Sequence, residues 1–220
     1  MCGRVAQTTT IERVIELTEI AGKLDMTPHY NIAPSMELIG IVATPSGDKH
    51  WQKFRWGLIP HWAKDPKIGF KTFNAKADTL AQKPAFRDAY RKRRCVIPVD
   101  GFYEWQRLGT MKKPYFIHNT DGMPLMLAGL WESWNDGTGQ LFSCTIITTN
   151  ANSLLSEIHH RMPVILDLSD IDLWLGPEVN PQVASLLRPL QGGSLEKFPV
   201  TNKMNNARYI EPDCMAPLSD

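Results

Sequence analysis

"CVIPVDGFYEW" (residues 95–105) is the stretch on which the fold reading turns. An apolar run, Cys95 to Val99, meets Asp100-Gly101 and continues into Phe102-Tyr103-Glu104-Trp105. Short apolar runs broken by Pro, Gly and Asp read as strands. In an extended chain, alternation sends Phe102 and Glu104 to one face and Tyr103 and Trp105 to the other. Neither face is cleanly polar, so Glu104 is either a carboxyl buried among aromatics or an exposed edge residue. The buried alternative has a chemical consequence. Desolvation raises a carboxyl pKa and lets it exchange a proton near neutrality.

Similar runs lie on both sides. "MELIGIVAT" (36–44) and "WQKFRWGLI" (51–59) alternate as a hairpin around "PSGDK" (45–49). "KPYFIH" (113–118), "MPLMLAGLW" (123–131), "LFSCTIITT" (141–149) and "MPVIL" (162–166) read as further short strands, and "YNIAPS" (30–35) as a turn. Helices are expected over 8–23, where Thr9 and Glu12 have capping-box spacing and Gly22 is a stop. Others are expected at the end of 78–94 and over 150–159, 168–175 and 180–187, with a loop at 192–194. Many strands without regular βα alternation predict an α+β fold with a mostly antiparallel sheet or barrel-like core and peripheral short helices. No linker, repeat or low-complexity tract divides the 220 residues, so one domain over 1–220 is expected.

Composition narrows the function. Lys and Arg number 24 against 23 Asp and Glu, so any nucleic-acid site must be a local basic groove. No apolar run approaches bilayer length and no secretory leader pattern opens the chain, which predicts a cytoplasmic protein without a membrane partner. The dinucleotide, P-loop and H-E-x-x-H motifs are missing. Cys2, Cys95, Cys144 and Cys214 form no C-x-x-C pair, so neither a metal site nor a disulfide framework is expected. No cofactor is implied. Cys95 and Cys144 sit in strand-like apolar runs and read as core.

Four segments carry candidate chemistry. In "MCGRV" the small residue at position 2 allows Met1 to be trimmed, leaving Cys2 with a free α-amine and a thiol; the alternative is an inert terminus. In "FNAKAD" (73–78), Asn74 is a turn or cap residue, or else an amide that orients a nucleophile or substrate. In "EIHHRMP" (157–163), adjacent helical histidines diverge and make a poor metal pair; one could serve as a general acid or base, or the two are simply a surface pair. "FRDAYRKRR" (86–94) is a solvated helix face, or, with Trp56, Trp62 and Trp105, a surface for single-stranded nucleic acid.

"MCGR", "YNIAP", "RWGLIPHW", "FNAKAD", "CVIPVDGFYEW", "AGLWE", "TIITTNAN", "IHHRMPVIL" and "NKMNNAR" occur in an order that resembles the SOS response-associated peptidase (SRAP) family over residues 2–211. The resemblance implies a monomeric protein, nucleoid-associated in a bacterium, that protects abasic sites in single-stranded DNA by becoming covalently attached to them. It implies catalytic roles for Cys2, Asn74, Glu104 and His159. It implies DNA contacts from Arg4, Lys76 and Arg161 to phosphate, from Pro34, Trp62 and Trp105 beside the missing base, and from Thr148. His160 stands where the family usually has Asp, and Lys76 where many members have Arg; lysine meets phosphate as a point charge without the guanidinium fork.

The implied chemistry explains the position of Cys2. An α-amine with a pKa of about 7.7–8 is partly neutral at physiological pH and can attack the open aldehyde of an abasic sugar. The neighbouring thiol then closes a thiazolidine, which only an amino-terminal cysteine can form. The peptidase name implies trimming of the N-terminus, a processing step that precedes the main activity. Two other readings compete: an N-terminal-nucleophile cysteine amidohydrolase, whose Asn-Gly substrate loop has no counterpart in this sequence, and a non-catalytic reader of modified DNA.

Overall fold

The computed structural model describes residues 2–8, 11–18, 20, 26–44, 46–135, 137, 139–191 and 193–218. In chain order the elements are β1 (Val5–Gln7), α1 (Ile11–Thr18), β2 (His29–Ile32), β3 (Glu37–Ala43), β4 (Lys49–Trp56), β5 (Asn74–Lys76), α2 (Arg87–Lys92), β6 (Arg94–Val99) and β7 (Gly101–Leu108). They continue with β8 (Met111–Asn119), β9 (Leu125–Asn135), β10 (Gln140–Asn150), α3 (Ser153–Ser156), β11 (Arg161–Pro163), β12 (Ile165–Leu166), α4 (Ile171–Leu175), α5 (Pro181–Ser185) and β13 (Leu195–Pro199).

Five strands close on themselves. β10 pairs with β9, β9 with β6, β6 with β3 and β3 with β4, all antiparallel, and β4 returns to β10 in parallel. Period-two alternation fills the ring: Leu38, Phe54, Cys95, Ile97, Leu127, Cys144 and Ile146 belong to one buried cluster. The intervening Ile41, Val96, Ala128, Leu130 and Ile147 pack outward with Tyr90 of α2 and Trp174 of α4. A second antiparallel sheet runs β13-β8-β7-β1-β2. The fold is α+β with a mostly antiparallel, barrel-like core.

Asp100 is where the chain passes from barrel to second sheet. Its amide donates to Ala6 O at 2.9 Å, and its carboxylate accepts the Thr8 amide. Gly101 follows because a Cβ there would collide with the Ile117 carbonyl and the Phe116 ring. Buried Gln7 ties the sheet back to the barrel. Its amide donates to Ile39 O (2.8 Å) and Pro98 O (2.7 Å) and accepts from Ile39 N (3.0 Å).

Residues 95–105 are thus two strands, and the expected alternation holds: Phe102 faces the barrel-side cluster, while Tyr103 and Trp105 join a third cluster with Phe116 and Met204. Cys95 and Cys144 are fully buried free thiols. The expected first helix is shorter, Ile11–Thr18, and its proposed Thr9–Glu12 box and Gly22 stop lie outside the described residues, as do Pro45 and Gly192 of two expected loops. The segment expected as a turn begins with β2, and the turn itself falls at Pro34–Ser35, where Ser35 has φ 77°. β1, β5 and β13 were not expected. Segments of 3 to 5 residues show no period of their own, and tertiary pairing makes them strands.

A candidate active site around Cys2

Antiparallel register builds the site. Val5 pairs with Phe102, and Tyr103 N donates to Arg4 O at 2.9 Å, so Glu104 lies across from the chain just after Cys2. Cys2 is fully buried, with its thiol 3.9 Å from Arg4 O. From the barrel side, β5 pairs in parallel with β10, placing Asn74 opposite Ile146. Asn74 Nδ2 donates to Cys2 O at 2.6 Å. The residue expected as a turn or cap is therefore a strand residue holding the start of the chain.

Glu104 is 2 % exposed, which settles its environment as buried. Burial raises its carboxyl pKa. Burial also pushes the Cys2 thiol up, and the Glu104 charge adds to that effect. Glu104 and His159 line one cavity of about 460 Å³, with Trp105, Arg107, Lys112 and Asn205. His159 Nδ1 lies 3.0 Å from Arg161 N and 3.2 Å from Arg161 O. Burial lowers the His159 pKa, and the Arg107 and Arg161 charges contribute. The exposed His160 is lowered mainly by the His159 charge.

The two imidazoles do not diverge as helix geometry predicted. α3 ends at Ser156, and the rings stack at 4.3 Å with planes 27° apart. Among the described residues no group of three His, Cys, Asp or Glu side chains could hold a metal ion, and no helix is long and apolar enough to cross a membrane.

The residues expected to touch DNA separate into two groups. Lys76 is exposed two residues beyond Asn74, Trp62 is 50 % exposed, and Pro34 and Trp105 are half-buried. Arg4 Nη1 donates to Asn31 Oδ1 (2.6 Å) and Met204 O (2.8 Å), and its guanidinium lies 5.9 Å from the Trp105 ring centre. Thr148 and Arg161 differ from expectation because both are buried. Arg161 donates to Asp78 (2.9 Å), Asn150 Oδ1 (3.2 Å) and Thr148 O (2.5 Å), so its guanidinium is committed to acceptors of the protein itself. The basic run 86–94 is likewise partly structural. Arg93 pairs with Glu132, and Arg94 is buried with its donors on Trp174 O (2.6 Å) and Tyr90 O (2.7 Å).

Three cavity residues escaped the sequence reading: Arg107, Lys112 and Asn205. Arg107 continues the Tyr103–Trp105 alternation and could have been found by extending it. Asn205 is fixed by the Trp105 indole, whose Nε1 donates to its Oδ1 at 2.6 Å. Away from the cavity lining, buried Asn31 accepts from Arg4 and donates to Met204 O (3.0 Å), Asn206 O (3.2 Å) and Tyr209 O (2.7 Å), binding the C-terminal segment to β2.

Comparison with known families matches residues 1–207 to SOS response associated peptidase (SRAP). The chain belongs to the SRAP family. Among SRAP relatives, abasic site processing protein YoqW of Bacillus subtilis (strain 168) is 41 % identical over 220 residues, covering 97 % of this chain and 98 % of that protein. Abasic site processing protein HMCES of Xenopus tropicalis is 32 % identical, covering 87 % of this chain and 66 % of that protein. A crystal structure of a Bacteroides thetaiotaomicron protein superposes with TM-score 0.89 at 27 % identity, covering 99 % of this chain and all of that one (100 %).

Proposed function

We propose that this SRAP chain processes abasic sites in DNA, binding single strands as a monomeric unit and linking itself covalently to the bared sugar through Cys2. Support comes from the relatives named for abasic site processing. The observation that carries the reading is the anchoring of the buried Cys2 by Asn74, with Glu104 across the strand pair lining a cavity together with His159.

The chemistry requires that Met1 be removed, since an amide nitrogen is not a nucleophile. The freed amine adds to the sugar's C1′ aldehyde, and loss of one water gives an imine. The Cys2 sulfur then adds to the imine carbon while its proton passes to nitrogen. Aldehyde and aminothiol thus become thiazolidine and water, with no redox change. Glu104, made more basic by burial, takes and returns the proton at the amine. His159, favoured in its neutral form, exchanges a proton with the sugar oxygen as the ring opens. Asn74 fixes the Cys2 carbonyl, so that amine and thiol sweep a small arc. Closing the imine into a ring protects the strand from β-elimination.

The test mixes purified protein with a single-stranded oligonucleotide bearing one abasic site. The expected result is a band that survives denaturing electrophoresis, is lost in Cys2→Ala and Cys2→Ser, and comes from protein whose intact mass lacks Met1. A normal yield from Cys2→Ser, or from chains that retain Met1, overturns the scheme. Glutamine hydrolysis abolished by Cys2→Ala would instead identify an amidohydrolase.

A further inference from the structure

We propose that Arg107 and Lys112, facing each other across the β7–β8 hairpin, form a phosphate clamp that grips the DNA strand where it enters the cavity of Glu104 and His159. This inference rests on the DNA reading above and adds to it a site for the strand's backbone. The β7–β8 register makes Arg107 and Lys112 direct partners, and both are exposed. Both line the cavity that Glu104 and His159 share. The turn between them is short: Leu108 pairs with Met111, and Gly109, at φ 62°, takes the first position of the two-residue loop. Nothing in the turn separates the two charges.

Like charges placed directly opposite on a sheet destabilise it. Some other cations of this chain meet carboxylates: Arg93 meets Glu132, Lys49 meets Asp172, Lys197 meets Glu157 and Arg161 meets Asp78. Among the described residues no carboxylate forms an ion pair with Arg107 or Lys112. The stretch "WQRLGTMKKP" (105–114) contains no acidic residue at all. Two uncompensated cations held side by side at a cavity rim suit an anion that accepts from both. A phosphodiester does so, one guanidinium edge and one ammonium sharing its two free oxygens. The strand would be read through its backbone, without regard to base, which suits a site whose target has none.

The experiment measures non-covalent binding by fluorescence anisotropy across salt concentration. The probe is a single-stranded oligonucleotide carrying a tetrahydrofuran abasic analogue, which has no aldehyde to crosslink. For single strands the slope of log K against log salt falls by about 0.7 for each phosphate contact removed. Arg107→Gln and Lys112→Gln should weaken binding and flatten this slope, with Lys112→Arg restoring it. Melting temperatures should stay at or above wild type, since a repulsion is relieved. An unchanged slope in the double variant overturns the clamp, as does an absence of wild-type binding. The two readings fail separately. Cys2-dependent adduct with unchanged slope removes only the clamp, whereas a flattened slope without any adduct removes only the covalent chemistry.

Discussion

Asn74 Nδ2 lies 2.6 Å from the Cys2 carbonyl oxygen, and this one bond joins the barrel to the beginning of the chain. β5 carries the donor, and the Val5–Phe102 register carries the acceptor. Two separately assembled sheets therefore define where the nucleophile sits.

Asn74→Ala should reveal how much that definition is worth. A single hydrogen bond contributes about 0.5–1.5 kcal/mol net, so the variant should remain folded, with a modest drop in urea midpoint. Adduct formation should slow by about tenfold or more, because a misplaced nucleophile costs more in rate than in stability. Equal single-turnover rates for the variant and wild type would show that Asn74 does not position Cys2.

Arg161 invites a different test, because the structure makes it internal. Its guanidinium joins Asp78, Asn150 and Thr148, bracing β10 against β11. Arg161→Ala strands the buried Thr148 carbonyl, while Asp78 and Asn150 turn to solvent, and should cost about 1–3 kcal/mol in chemical denaturation. Arg161→Lys cannot reproduce the fork and should recover only part of this. The salt dependence of DNA binding by folded Arg161→Lys should match wild type. A flattened slope would show that the side chain reaches phosphate after all.

The contrast between Arg161 and Glu104 shows what was legible in the sequence. Alternation through Phe102, Tyr103, Glu104 and Trp105 is a local property, and the structure keeps it. Burial of Arg161 depends on Asp78, which is 83 residues away, and no local pattern announces such a partner. Asn74 looked like a turn residue because its strand is only 3 residues long and gains its identity from β10. The histidine pair was misjudged for a related reason. Its geometry depends on α3 stopping at Ser156, and element ends are set by competition among nearby hydrogen bonds. Arg107 and Lys112 become partners only once the hairpin register is known.

His159 predicts a pH signature. Burial and the Arg107 and Arg161 charges hold its pKa below the usual value of 6.5. The folded chain thus prefers the neutral ring, and the unfolded chain binds more protons across that window. Its contribution to stability is complete above about 6.5 and is lost as pH falls through the folded pKa. Adduct rates should fall in acid as the Cys2 amine is protonated near about 8 and, in a lower stage, His159 below about 6.5, with protonation of Glu104 adding to the fall. In the lower range the log rate should drop by about one more per pH unit for wild type than for His159→Gln. Arg107→Gln should move the lower stage to higher pH. Identical acid limbs for wild type and His159→Gln would remove the ring from the proton path.

Glu104→Gln should separate stability from activity. The carboxyl is 2 % exposed, and burial raises its pKa, so the fold favours the protonated form. Between the unfolded and folded pKa values the native state binds more protons than the unfolded one. Stability from this group is therefore full below about 4.3 and is lost as pH rises through the folded pKa. Glutamine has nearly the same shape and no charge to desolvate, so the variant should melt above wild type at pH 8. The difference should shrink as pH is lowered toward about 4.3, where wild-type Glu104 is itself neutral. Adduct formation should fall by about 10²–10⁴-fold, the range for removing a general acid–base group. Thermal melts at both pH values beside single-turnover rates make the comparison. A variant less stable than wild type at pH 8, yet equally fast, would mean that the charge is held for the fold and plays no part in the chemistry at Cys2.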